Sequence, residues 1–151
     1  MQVSMFKGGE INISFADCES DWFTPGQTVN GFLEISAKKV FEAKELVLSL
    51  VCVEHHQFYS HNGTHGQTNN VDEEVFCLDF QVPHDTINEQ NQVRIGQHKL
   101  PFQISIPENL NPSFMNGAFG PLMLAYYIRA QYIPINNKHW NKYYGCSKFA
   151  Q

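Results

Sequence analysis

Four of the seven histidines, His55, His56, His61 and His65, fall within eleven positions in the run HHQFYSHNGTH. Imidazole is the commonest nitrogen ligand for zinc, copper and nickel, so a loop that folded three of these rings together could hold such an ion. No carboxylate or cysteine stands at ligand spacing inside the run, and the HxxxH of His61 and His65 has a fixed geometry only on a helix. The same run carries Phe58 and Tyr59, and aromatic side chains are enriched in binding hot spots. It therefore supports two readings. One is a metal site built from the four histidines; the other is a partner contact formed by His55, His56, Phe58, Tyr59, His61 and His65. Arg129, beside Tyr127 and Gln131, is a further contact candidate, as a surface arginine or as the partner of Asp17 or Asp21.

Catalytic constellations are missing. There is no GxSxG elbow, no GxxxxGK[ST] phosphate loop and no GxGxxG behind a strand. Gly8 and Gly9 precede a strand, so no helix dipole is available there to hold a phosphate. The expectation is a protein without enzymatic activity or a cofactor.

The elements that must position these residues are strands. Ile11, Ile13 and Phe15 alternate with polar or small neighbours, which is the period of a half-buried strand. Val29, Gly31, Leu33 and Ile35 face one way, and Asn30, Phe32, Glu34 and Ser36 the other. Residues 38–44 read as a polar connector. Residues 45–54 (ELVLSLVCVE) are apolar on both faces, as in a central strand. Residues 55–74 read as one long polar loop, a length that is usually functional or mobile. Further strands follow at residues 76–82, 100–106 and 122–133. Residues 85–94 read as a loop or a helical turn, and 109–120 as a turn-rich link. Pro101 can donate no backbone hydrogen bond, so its strand begins there or runs along an edge there. No segment is amphipathic over three helical turns. Strands joined by Gly, Pro and Asn turns predict an all-β sandwich or barrel.

The size, 151 residues, suits one domain or half of a larger protein, and 42% hydrophobic content suffices for a core. A net charge of −5 offers no basic surface for nucleic acid or an anionic membrane. No apolar run approaches the ~18 residues that span a bilayer. Cys18, Cys52, Cys77 and Cys146 form no CxxC pair. With no signal-peptide pattern in MQVSMFKGGEI, they read as reduced cysteines in a cytoplasmic protein. The sequons at Asn12 and Asn62 read as chance.

Three segments carry a family resemblance. FTPGQTVNGFLEI, with Pro25, Gly26, Val29 and Gly31, resembles the early signature of arrestin-like proteins. GQHKLPFQISIPENLNPSF resembles their second signature through Gly96, His98, Pro101, Phe102, Pro107, Pro112 and Ser113. YYIRAQY resembles the strand that follows, where a basic position stands between a tyrosine and a small residue. In order and spacing the three are similar to the amino-terminal arrestin domain, closest to the α-arrestin and trafficking-adaptor branch.

The resemblance implies an immunoglobulin-like, two-sheet antiparallel β-sandwich over residues 1–151, with 136–151 as a tail or linker towards a second domain. It also implies an interaction module that binds cytoplasmic tails of membrane proteins or sorting and coat subunits, in sorting, endocytic trafficking or signalling. The location would be cytoplasmic, endosomal or peripheral to membranes, and self-association stays open. Binding would add an extended peptide to a sheet edge, with residues 11–16 and the Pro101 strand as the expected edges. Two family features are lacking: the first-strand region KGGEINISF has Lys7 alone instead of paired phosphate-sensing lysines, and no PPxY occurs. The alternative function is a β-sandwich that binds metal through the histidines or carbohydrate through its aromatic and Asn residues.

Overall fold

The computed structural model describes residues 3–6, 8–16, 23–111, 114–116, 122–135 and 144–150. Strand β1 (Val3–Phe6) turns into β2 (Gly9–Phe15), which pairs with β3 (Thr28–Ala37). Along β3 the expected alternation holds, with Val29, Gly31, Leu33 and Ile35 buried and Asn30, Phe32, Glu34 and Ser36 at least partly exposed. A second run of strands begins at β5 (Glu45–Asn62), which returns as β6 (His65–Phe80). Strand β8 (Gly96–Ser105) comes back to β3, and β10 (Leu122–Ile133) pairs with β5. Short strands β4 (Phe41–Glu42) and β7 (Gln92–Val93) pair with each other. Strands β9 (Phe114–Asn116) and β11 (Tyr144–Ala150) both pair with β10.

The result is two antiparallel sheets, ordered β1-β2-β3-β8 and β11-β10-β5-β6. Their inner faces share one core, in which Ile11, Ile13, Leu33 and Ile104 from the first sheet meet Leu48, Leu50, Ile128 and Tyr132 from the second. Strand β5 lies between β10 and β6, and its first half is buried on both faces, Leu48, Leu50 and Cys52 on the inner one and Ser49 and Val51 on the outer. No helix occurs among the described residues. The fold is the all-β antiparallel sandwich that the sequence predicts.

Five expectations are corrected. Residues 55–74 are not a loop: they form the outer part of the β5–β6 hairpin, and Asn62 pairs with His65 around a two-residue turn. Gly63 opens that turn at φ 69°, the position that a type II′ hairpin turn reserves for glycine. Cross-strand pairing supplies the backbone partners that the polar side chains seemed to deny. Residues 11 and 12 are not an edge, because β1 pairs with them, whereas 13–15 pair among the described residues with β3 alone and keep the expected open side. The connector 38–44 contains β4. The link 109–120 contains β9, while 85–94 is the loop of its two readings, closed by an Ile87–Val93 bridge and β7. Strand β6 stops at Phe80, two residues short of Val82. Strand β8 is an edge among the described residues, in keeping with Pro101.

Candidate partner-binding surface

The family-like residues hold the sandwich together. Thr24 to Gln27 form a β-turn closed by the Gln27 amide on the Thr24 carbonyl, at 3.1 Å. The Gly26 amide donates to the Ile106 carbonyl at 2.9 Å, and the Ile106 amide donates to the Gln27 carbonyl at 2.8 Å. Pro25 and Gly26 thereby fasten the entry of β3 to the segment just after β8, beside Pro107. Gly31 pairs with Phe15 on one side and Phe102 on the other. Those two rings meet edge-on, with centroids 6.3 Å apart. A Cβ on Gly31 would lie 2.3 Å from the Ser14 carbonyl oxygen and 2.5 Å from Phe102 Cζ. Glycine is required there because the Ser14 carbonyl and the Phe102 ring already occupy the space of a Cβ. Gly96 opens β8, and His98 Nε2 lies 3.1 Å from the Arg94 carbonyl oxygen, towards which it donates. Pro112 and Ser113 lie outside the described residues.

The histidines ride on the hairpin. Alternation on β5 puts His55, Tyr59 and His61 on the outward face, in line with Ser49 and Val51, and puts His56 and Phe58 on the opposite face. His55 Nδ1 bonds Asp72, directly across the ladder. His56 Nε2 lies 2.6 Å from Glu54 Oε1. The His61 ring stacks on Tyr59, with centroids 6.3 Å apart, and Tyr59 in turn lies across Gly66. His65 closes the turn opposite Asn62. The strand therefore separates the neighbours His55 and His56, and no group of three metal-ligating side chains converges among the described residues.

Strand β10 pairs with β5 only as far as His56. Beyond it, residues 57–62 and 65–70 pair with each other alone among the described residues. This arm exposes Phe58 at 51% and Tyr59 at 67%, one on each face.

Arg129 is not a free surface arginine. Its Nη1 and Nη2 donate to the two carboxylate oxygens of Glu74, at 2.9 and 3.4 Å. Asp17 and Asp21 lie outside the described residues, so the observed partner is one that sequence reasoning missed. On the same outward face Ser49 Oγ donates to Asp79 Oδ1 at 2.6 Å. A cleft of about 380 Å³ opens there, with Val51, Val53 and Met123 in its lining and Asp72 and Tyr127 beside them. Burial, and then the charge of Asp72, push the Tyr127 hydroxyl pKa up. The signal for this acidic row was the alternation in DEEVFCLDF. One extra residue, Val75, breaks its period at the bulge beside Cys52 and Val53.

The family profile of the Arrestin (or S-antigen), N-terminal domain matches residues 11–142. The chain belongs to the arrestin family. Arrestin-family domains are, as a family, non-enzymatic scaffolds and adaptors. No curated protein sequence matches this arrestin-family chain. Among solved structures it is similar to Spo0M, a sporulation control protein from Bacillus subtilis, at 11% identity and a TM-score of 0.46. The alignment covers 96% of this chain and 49% of that one, so the chain spans about half the length of that relative. No helix among the described residues is long and apolar enough to cross a membrane.

Proposed function

We propose that this arrestin-family domain is a non-enzymatic adaptor of the trafficking branch. It captures a protein partner, the cytoplasmic tail of a membrane protein or a sorting subunit, through the arm of the β5–β6 hairpin. The observation that carries this reading is the exposure of Phe58 and Tyr59 on a strand pair that no other described strand supports. Aromatic side chains give large contact area at small entropic cost, which suits a hot spot. His56 and His61 flank the two rings with adaptable polar contacts, while Arg129 sits at the root, tied to Glu74.

The test uses purified cytoplasmic tails of membrane proteins, immobilised singly. The wild-type domain is expected to be retained by a subset of them. The Phe58→Ala/Tyr59→Ala variant is expected to lose that retention with little change in melting temperature, since both rings are at least half exposed and lie outside the core. Equal retention of the two proteins would sink the reading.

A further inference from the structure

We propose that the open edge of β6 accepts an extended peptide of alternating basic and apolar residues, added to the sheet as a further strand. This rests on the adaptor reading and deepens it by naming the chemistry of the partner segment. Among the described residues β6 has one neighbour, β5, along its whole length. Its other side presents a row of backbone donors and acceptors, which is a template for another chain. The opposite sheet guards its own edge at β8 with Pro101, which has no donor.

The two faces of this edge differ. Asp72, Glu74 and Asp79 pair across the ladder with His55, Val53 and Ser49, so all three carboxylates stand on the outward face. Phe76, Leu78 and Phe80 stand on the inward face, opposite Cys52, Leu50 and Leu48. Those three β5 residues are 2%, 1% and 0% exposed, whereas their β6 partners are only half-buried. The apolar row of the core thus runs out to the edge and stops there uncovered.

An added strand sets its successive side chains alternately beside these two rows. Opposite charges adjacent across strands stabilise a sheet and like charges destabilise it. Glu74 is already matched by Arg129, so cations are favoured beside Asp72 and Asp79, and apolar residues complete the burial of Phe76, Leu78 and Phe80. Pairing of β6 with a second copy of itself would crowd one row of carboxylates with another, which disfavours that occupant.

The probes are three labelled ten-residue peptides read by fluorescence anisotropy. One alternates lysine and valine; one has the same composition in two blocks; one is the alternating peptide with two valines changed to proline. The alternating peptide is expected to bind and the other two to bind several-fold more weakly. Asp72→Asn/Asp79→Asn is expected to weaken the alternating peptide roughly fivefold at low salt, at an unchanged melting temperature. Equal binding of the block peptide, or no effect of the double substitution, overturns the proposal. A chain in which a tight turn replaces residues 58–69 keeps the edge from Val71 onward. It is expected to keep peptide binding, and loss of binding there also overturns the edge assignment. Unaltered tail capture by Phe58→Ala/Tyr59→Ala bears on the arm alone and leaves the peptide result standing.

Discussion

Thr86 and Tyr132 meet inside the protein across 46 positions, with Thr86 Oγ1 3.0 Å from the Tyr132 hydroxyl. Both residues are fully buried. His84 Nδ1 lies 3.1 Å from the same threonine oxygen, and the Phe41 ring meets Tyr132 edge-on at 5.2 Å. One hydroxyl pair thereby anchors the loop before β7 to the end of β10.

That anchor makes the fold sensitive to alkali. Burial pushes the Tyr132 hydroxyl up to about 12, against a small opposing pull from the Thr86 bond. An unfolded tyrosine ionises near ~10. Below ~10 both states hold the proton and the contribution to stability is complete. Between ~10 and ~12 the unfolded chain releases a proton that the folded chain keeps, so stability falls as pH rises. The loss from Tyr132 reaches roughly 2–3 kcal/mol. Tyr126, also pushed up to about 12 by burial and then by Cys52, adds to the slope. Tyr132→Phe is expected to flatten the decline of melting temperature above pH ~10; an identical slope refutes it.

Gly31→Ala is expected to destabilise the domain by roughly 1–3 kcal/mol or more. The new methyl would press on the Ser14 carbonyl and the Phe102 ring, and strand pairing fixes the first of these. Chemical denaturation of the variant measures the cost. A second change, Phe102→Leu, is expected to restore part of it by freeing the ring's space, and failure to do so locates the clash in the backbone alone.

Arg129 and Glu74 are expected to couple by about 1 kcal/mol in a double-mutant cycle with Arg129→Met and Glu74→Gln. Both oxygens of the carboxylate face the guanidinium, and the arginine is 28% exposed. A coupling indistinguishable from zero at low salt would show the pair to be incidental.

Zinc is expected to leave the melting temperature unchanged, and a chelator likewise. His55 and His56 point to opposite faces of β5, while Asp72 and Glu54 already engage their rings. A metal ion would have to break the ladder to gather three imidazoles. A zinc-dependent rise of several degrees overturns this expectation.

The sandwich was legible wherever side chains face two different media. Val29, Leu33 and Ile35 alternate because one face of β3 meets the core and the other meets water, and the period of two survives in the letters. Pro25, Gly31, Pro101 and Phe102 were legible too, because each answers a local backbone demand. The arm was not. Past His56 both of its faces are wet, so nothing selects apolar residues at alternate positions and the strand reads as a polar loop. Its order comes from backbone pairing with the strand just across the two-residue turn, and such pairing leaves no apolar period in the letters. The Glu74 partner of Arg129 was hidden for a related reason: a single inserted residue, Val75, shifts the register by which such a pairing could be counted.

The same arm has a mechanical consequence. Six cross-strand pairs, from Gln57 with Asn70 to Asn62 with His65, extend past the last contact with β10. At ~3.4 Å per residue they make a ribbon about 20 Å long. A load applied at Gly63 reaches the core as a torque, and the bulge at Val75 is the irregular joint about which it acts. The domain has the proportions of a lever whose fulcrum lies inside its own sheet.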